Sequence, residues 1–422
     1  MRVLSEHSFI EYQRSLTGWS NPGGTSAAAF GLIDEPGATS GQIVSLTSAS
    51  GTAAFIDKVV NYDFNLGGAI ELDLWSSSAP WGALVNNHRV GWFFSVDAGY
   101  GSYVNPSTFA AYPGWNRVLM PRGRKVGSDD PASIHSGASA QARMTAIRWR
   151  LREEAMTSTV LQLGVRRLAA GKRSRPIVAI RIDDWIDNAY AGLHQVLAQA
   201  KIPHTMFGIT GKLGTAGYWT LNQVDNAVAS GYCRIGNHTV DHNQGVLPGA
   251  SLSECKAQIL PASELIAQYW PTDGVTPWIF ANPYGESGAN YNQALTESGI
   301  LQAFTVVGNP SSLEFAINPL YASTYIHDSF STTGTSTGTT GSYQATSMSQ
   351  LLARADNSIS AGGLTTLGFH QVAAGTPTAG TQMSIAQRDE LIGWCLRRRA
   401  IADFVFLGDA VRDSRERVRL GL

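Results

Sequence analysis

From Pro176 onward the chain repeats one pattern: a short apolar run, ten to fifteen residues of helical periodicity, then another apolar run. Consecutive strands separated by helices cannot pair as hairpins, so this pattern commits the segment to a parallel sheet covered by helices. Strands are expected at 177–182, 205–208, 232–235, 278–280, 303–307, 365–369 and 404–407, and helices at 189–199, 221–230, 252–269, 291–298, 347–360 and 385–400. Around seven such repeats predict an irregular (β/α) barrel, and barrels of this kind place their chemistry at the C-terminal ends of strands.

The preceding half reads differently. The whole chain, at 422 residues, has material for at least two cores. Residues 25–168 show short alternating runs punctuated by Gly, Asn, Asp and Pro, the pattern of an all-β sandwich. The clearest strands lie at 44–47, 69–75, 90–96, 116–120, 146–151 and 160–166. Residues 1–24 read as a connector and the basic stretch 169–175 as the linker into a second domain spanning 176–422. Trp75, Trp81 and Trp92 are candidates for exposed rings that stack on sugars, or else core residues of a spacer domain.

Composition excludes several classes. Charged residues make up 15% of the chain and the net charge is −1, so neither a nucleic-acid footprint nor a polyanionic tail is present. Cys233, Cys255 and Cys395 are widely spaced and lack a Cys-x-x-Cys pattern, and read as small buried apolar residues rather than a disulfide framework. No apolar stretch approaches the roughly 18 residues of a membrane span, and the N-terminus carries no signal-peptide core. The run 331–341, rich in Ser, Thr and Gly, is low-complexity and predicts an exposed loop. No Gly-x-Ser-x-Gly elbow is present, which argues against a serine-esterase route.

Two motifs carry chemistry. The apolar run ending at Ile182 delivers Asp183 and Asp184 at a strand exit, where adjacent carboxylates reach one small volume. There one holds a metal while the other moves protons, or the pair caps the helix that follows. Downstream, His238 and His242 stand four apart after a second short apolar run, a spacing that on a helical turn sets both imidazoles on one face as a chelate. One carboxylate added to two imidazoles leaves a coordination position open for water.

The text around these motifs resembles the polysaccharide deacetylases, the NodB-homology group also known as carbohydrate esterase family 4, over roughly residues 175–409. Arg181-Ile182-Asp183-Asp184 resembles the family's first signature, and His238-Thr239-Val240-Asp241-His242 keeps its His-Ser/Thr-x-x-His intact. Phe280-Ala281-Asn282-Pro283-Tyr284-Gly285 keeps part of Arg-Pro-Pro-Tyr-Gly, and Leu367-Gly368-Phe369-His370 resembles the closing Leu-His strand. The resemblance implies that Asp184, His238 and His242 hold a divalent ion, zinc first, with cobalt, nickel or manganese as the other candidates. It implies Asp183 as general base, the backbone N–H of Tyr284 as oxyanion donor and His370 as general acid. It further implies Trp185, Pro283, Tyr284 and Phe369 as substrate contacts, and an acetylated polysaccharide as the partner.

Two departures stand out. The family's motif Arg, which orients the base, is Ala281 here, so either another cation such as Arg181 or Arg234 substitutes or Asp183 is less well held. The acid that usually partners the closing His is also missing at 307–312, leaving Asp328 as a candidate. A degenerate glycan-binding protein, an adhesin or virion component that keeps the metal ligands, is therefore the alternative reading. Pro113-Gly-Trp115-Asn-Arg-Val-Leu-Met-Pro121, with a later Ile-Arg-Trp-Arg strand, resembles jelly-roll domains attached to glycan-active proteins. Action at a cell surface without a visible signal implies a trimmed chain, a non-classical export route or a place on a virus particle.

Overall fold

The computed structural model of the chain describes residues 6–20, 29–47, 54–63, 69–76, 88–95, 103–106, 109–110, 114–121, 132–135, 143–153, 162–172, 175–243, 247–271, 273–285, 289–305, 322–323, 325–326, 348–360, 364–377 and 382–420. Residues 307–312, the loop 331–341, Trp81 and Asp328 lie outside that set.

The first half forms two antiparallel sheets, as its alternating runs require. One runs in the order Gly114–Pro121, Ala69–Ser76, Gln162–Lys172, Gln42–Thr47, Ala29–Asp34. The other runs Ala132–His135, Tyr103–Pro106, His88–Ser95, Arg143–Glu153, Ala54–Asp63, Trp19–Ser20. Two expected boundaries are corrected. The stretch read as a connector contains the strand Glu6–Tyr12, antiparallel to Gln162–Lys172, and Gln13 accepts hydrogen bonds from Lys58 Nζ at 2.9 Å and Trp19 Nε1 at 3.1 Å. The stretch read as a linker is largely strand as well, because Gln162–Lys172 runs through it. Just upstream, Arg166 is buried, and its cation is matched by Asp73 at 2.9 Å and Glu35 at 3.5 Å rather than by solvent.

The second half is an all-parallel sheet. Its principal strands are Ile177–Asp183, His204–Gly208, Cys233–Asn237, Ile279–Ala281, Gln302–Thr305 and Leu364–Phe369, with Asp403–Val405 paired to the start of the first. The short run 322–326 touches both edges, Ala322–Ser323 pairing with Gln302–Thr305 and Tyr325–Ile326 with Leu364–Phe369, which is how a sheet curls into a (β/α) barrel. Alternation along the first strand separates two cores. Val178, Ile180 and Ile182 pack outward against helix residues such as Leu193, Val224, Ile266 and Leu391. Ile177 and Ala179 face inward with Phe207, Ile279, Ala281, Phe304 and Leu364. Continuing that inward face gives Arg181 and then Asp183.

The helices begin where their capping residues say they should. Thr220 with Gln223, Ser251 with Glu254 and Ser384 with Gln387 each form a reciprocal capping box at the start of Leu221–Ala229, Leu252–Tyr269 and Ile385–Arg398. The first helix is irregular, widening into a π-helical turn over Tyr190–His194. One helix, Leu407–Leu420, was not expected; it sends Leu407, Ala410 and Val411 into the inward-facing core. Among the described residues no helix is long and apolar enough to cross a membrane. All three cysteines are buried and free.

Candidate metal centre

Asp183 ends the first strand and Asp184 begins the turn that leaves it. The turn is pinned on both sides: Asp184 N donates to Phe207 O at 3.0 Å, and Trp219 N donates to Trp185 O at 2.9 Å. Asp184 and Trp185 take φ of 80° and 57°, an uncommon region for residues bearing a Cβ. Trp185 is the anchor: its ring is fully buried, edge-on to Trp270 at 5.8 Å, and lies so close to Gly208 that a Cβ there would meet it at 2.2 Å. Burial of a side chain this size stabilises by about 2–3 kcal/mol, which is what holds the strained turn in place.

The histidines come from the third strand's exit. Asn237 shapes that exit, its amide donating to Ile259 O at 2.8 Å and Ser263 Oγ at 2.7 Å while its carbonyl oxygen accepts from Thr239 N at 2.7 Å. The expected helical turn is absent, because Thr239 at φ 73° and His242 at φ 56° break it. The imidazoles converge nonetheless, since His242 N donates to Thr239 Oγ1 at 2.9 Å and folds the loop back, leaving ring centroids 4.5 Å apart. Including Tyr284 at φ 55°, five of the six non-glycine residues with positive φ among the described residues lie in these three loops, and strain of this kind collects at functional sites.

Asp184 is the meeting point. Its Oδ1 lies 3.1 Å from His238 Nε2 and 3.3 Å from His242 Nε2, and its Oδ2 lies 3.8 Å from His370 Nε2. His238 Nδ1 lies 2.7 Å from the Ala281 carbonyl oxygen, so Nδ1–H donates there and Nε2 faces the carboxylate. Burial pushes His242 down to about 3, with His238 adding to the effect, so that ring is neutral near pH 7. Burial by itself would raise Asp184, but the hydrogen bond to His238 and the surrounding imidazoles outweigh it and hold the carboxylate well below its usual range. Two imidazole nitrogens and a carboxylate oxygen converging on one small volume make a donor set suited to a cation.

A divalent cation fits that place. Two donors each about 2.1 Å from a tetrahedral ion stand about 3.4 Å from one another, close to the two Asp184–imidazole separations. The three donor atoms all lie within 4.8 Å of one another. The Ala281 carbonyl supplies the outer hydrogen bond that fixes the tautomer and orientation of a ligating imidazole.

The other sequence candidates fall unequally. Asp183 is 2% exposed; its Oδ2 accepts from Arg181 Nη2 at 2.6 Å, and its Oδ1 has no hydrogen-bond partner among the described residues. Arg234 is not the replacement cation, because it is engaged by Asp273 at 2.5 Å and Asp409 at 2.9 Å. Tyr284 is 46% exposed, with its ring 4.6 Å from that of His242. Trp185 and Phe369 are corrected: both are fully buried in the core between sheet and helices, and neither presents a face to a ligand. Pro283 is buried as well.

A second histidine cluster, invisible in the sequence because its members are far apart, lies in the helix-packed core. His194 and His204 are hydrogen-bonded at 3.0 Å beside Cys233, and His204 Nδ1 donates to Ile202 O at 3.0 Å. His204 and Cys233 open neighbouring strands in register, so this cluster sits at strand starts whereas the Asp184 site sits at strand ends. Each ring nitrogen in the chain from His194 Nδ1 to Ile202 O has a partner, and the arrangement is a satisfied core pair.

Residues 170–303 match the family model described as polysaccharide deacetylase, a stretch that holds every residue of the site except His370. No curated protein matches the chain. Among solved structures, the chain is similar to the Streptococcus pyogenes deacetylase PplD, at 20% identity over 30% of this chain and 54% of that one, TM-score 0.27. It is similar to IcaB from Ammonifex degensii at 26% identity over 30% and 59%, TM-score 0.27. The peptidoglycan deacetylase PdaC from Bacillus subtilis gives 15% identity over 58% and 96%, TM-score 0.35. The chain thus spans little more than half the length of the first two.

Proposed function

With residues 170–303 forming a polysaccharide deacetylase domain of the NodB-homology type, we propose that this protein is a metal-dependent hydrolase removing N- or O-acetyl groups from a polysaccharide. The observation that carries the reading is Asp184, which gathers His238, His242 and His370 within 3.8 Å of its two oxygens beside a second, separately held carboxylate. Asp184, His238 and His242 would hold a divalent ion, zinc foremost, which when bound would supply Lewis-acid polarisation of the acetyl carbonyl and activation of the attacking water.

The chain's own groups do the rest. Asp183 accepts the water's proton on Oδ1, the oxygen that Arg181 leaves free. The Tyr284 N–H donates to the oxyanion that develops at the acetyl carbon, and the exposed Tyr284 ring offers a face to the sugar. His370, with Nε2 on the same mouth, returns a proton to the departing amine or alkoxide. The N-terminal sheets, read as a jelly-roll-like sandwich, act as a glycan contact or spacer, and the site of action is extracellular or cell-surface, including a place on a virion.

Acetate release from a panel of N- and O-acetylated glycans, with and without chelator, tests this. Release that chelator abolishes and zinc restores is expected. Chelator-resistant release removes the metal from the reaction, and tight glycan binding with no release on any substrate establishes the degenerate binding protein instead.

A further inference from the structure

We propose that Arg181 is the positioning residue for Asp183, a guanidinium sent into the barrel from two residues upstream on the same strand; the inference rests on the deacetylase reading above. Arg181 is fully buried and Asp183 nearly so, and the two meet at 2.6 Å between Nη2 and Oδ2. Strand alternation sets both on the inward face, which they share with the apolar side chains of Ile177, Ala179, Phe207, Ile279, Ala281 and Phe304.

The two neighbouring carboxylates have separate partners. Asp184 faces the imidazoles of His238, His242 and His370, and Asp183 faces the guanidinium. Separate partners keep the two carboxylates in distinct places and distinct roles. Arg181 is itself steered. Its guanidinium carbon lies 5.8 Å from the centroid of the Phe207 ring, and Phe207 occupies its place because Gly236 has no side chain: a Cβ there would meet the ring at 2.6 Å. Arg181 touches no substrate; it fixes which oxygen of Asp183 is free.

Ala281 belongs to the same inward core and has a small side chain, so a guanidinium can be offered from the opposite wall. This gives a reciprocal test. In the full chain, Arg181→Met is expected to keep its metal content and a KM within about threefold of native, while kcat falls about a hundredfold. The double variant Arg181→Met/Ala281→Arg is expected to regain at least about tenfold of that loss, and Arg181→Lys to fall between. An Arg181→Met protein with native kcat overturns the inference, as does a folded, metal-loaded double variant no better than Arg181→Met. If Arg181→Met does not fold, Arg181→Lys and the double variant carry the comparison. If the native chain releases no acetate from any substrate, the functional reading fails and the positioning claim is judged on urea unfolding of Arg181→Met, Asp183→Asn and their combination. Effects that simply add overturn it, and coupling between the two supports it.

Discussion

His238 donates its Nδ1 proton to the carbonyl oxygen of Ala281, 2.7 Å away, so a residue with no functional side chain orients a ring of the site through its backbone. That relationship ties the third strand's exit to the fourth strand, and it makes the set Asp184, His238, His242 a preformed one. Protein purified without added metal is expected to carry close to one equivalent of divalent ion per chain. His242→Ala and Asp184→Asn are each expected to fall below about a tenth of an equivalent, since a two-donor remnant binds weakly. Elemental analysis decides; full occupancy in either variant removes that residue from the ligand set.

The two carboxylates separate by a different pair of measurements. Asp183→Asn is expected to keep its metal and lose acetate release by about 10²–10⁴-fold, the contribution of a general base. Asp184→Asn is expected to lose both together. Equal metal loss in the two variants would show that the roles are wrongly divided.

Asn237 offers a test of the scaffold beneath the histidines. Its side chain makes three buried hydrogen bonds, two donated and one accepted. Asn237→Ala leaves the Ser263 hydroxyl, the Ile259 carbonyl and the Thr239 amide short of partners, an expected loss of about 2–4 kcal/mol in urea unfolding with a weaker metal affinity besides. Asn237→Ala with native stability would mean the loop is held by other contacts.

Gly208→Ala addresses the aspartate turn. The added methyl meets the Trp185 ring at 2.2 Å, too close for any rotamer adjustment of a fully buried indole. An expected destabilisation of about 1–3 kcal/mol should come with reduced metal occupancy, because Trp185 is the next residue after Asp184. Retained occupancy at reduced stability would uncouple the ring from the ligand.

The core histidines set a pH response. Burial lowers His194 to about 4 and His204 to about 3, below their ordinary value near 6.5. Between those values and 6.5 the unfolded chain binds more protons than the folded one, so stability rises with pH across that window and is lost on acidification below 6.5. His242 adds to the same window when no ion is bound. The unfolding midpoint measured from pH 7 to pH 4 in chelator is therefore expected to fall, and His194→Gln/His204→Gln to fall less steeply. A parallel slope in the variant would assign the acid sensitivity elsewhere.

Much of the barrel half was legible because apolar periodicity and capping residues report local structure directly: the strand Ile177–Asp183 and the helix Leu252–Tyr269 stand where the pattern predicts. Asp184, His238 and His242, which the fold brings together, were legible as residue types in order. What the pattern does not carry is backbone sign and neighbours in space. A His-x-x-x-His spacing reads as a helical face, yet Thr239 and His242 reach convergence through positive φ. An aromatic after a carboxylate reads as a sugar contact, whereas Gly208 on another strand gives the Trp185 ring a buried berth. Of the two cations considered for Asp183, only the pairing of Arg234 with Asp273 and Asp409 excludes one. The helix Leu407–Leu420 escaped notice because its charged residues outnumber the few apolar ones that enter the core.

The chain order of the site has a temporal side. Asp184, His238 and His242 come from the first and third strands, joined through the single strand His204–Gly208 that pairs with both. His370 follows only after Leu364–Phe369. At a synthesis rate of about 5–20 residues per second, the three donors leave the ribosome on the order of ten seconds before the fourth residue arrives. A nascent chain can therefore bring Asp184, His238 and His242 together before His370 exists to join them.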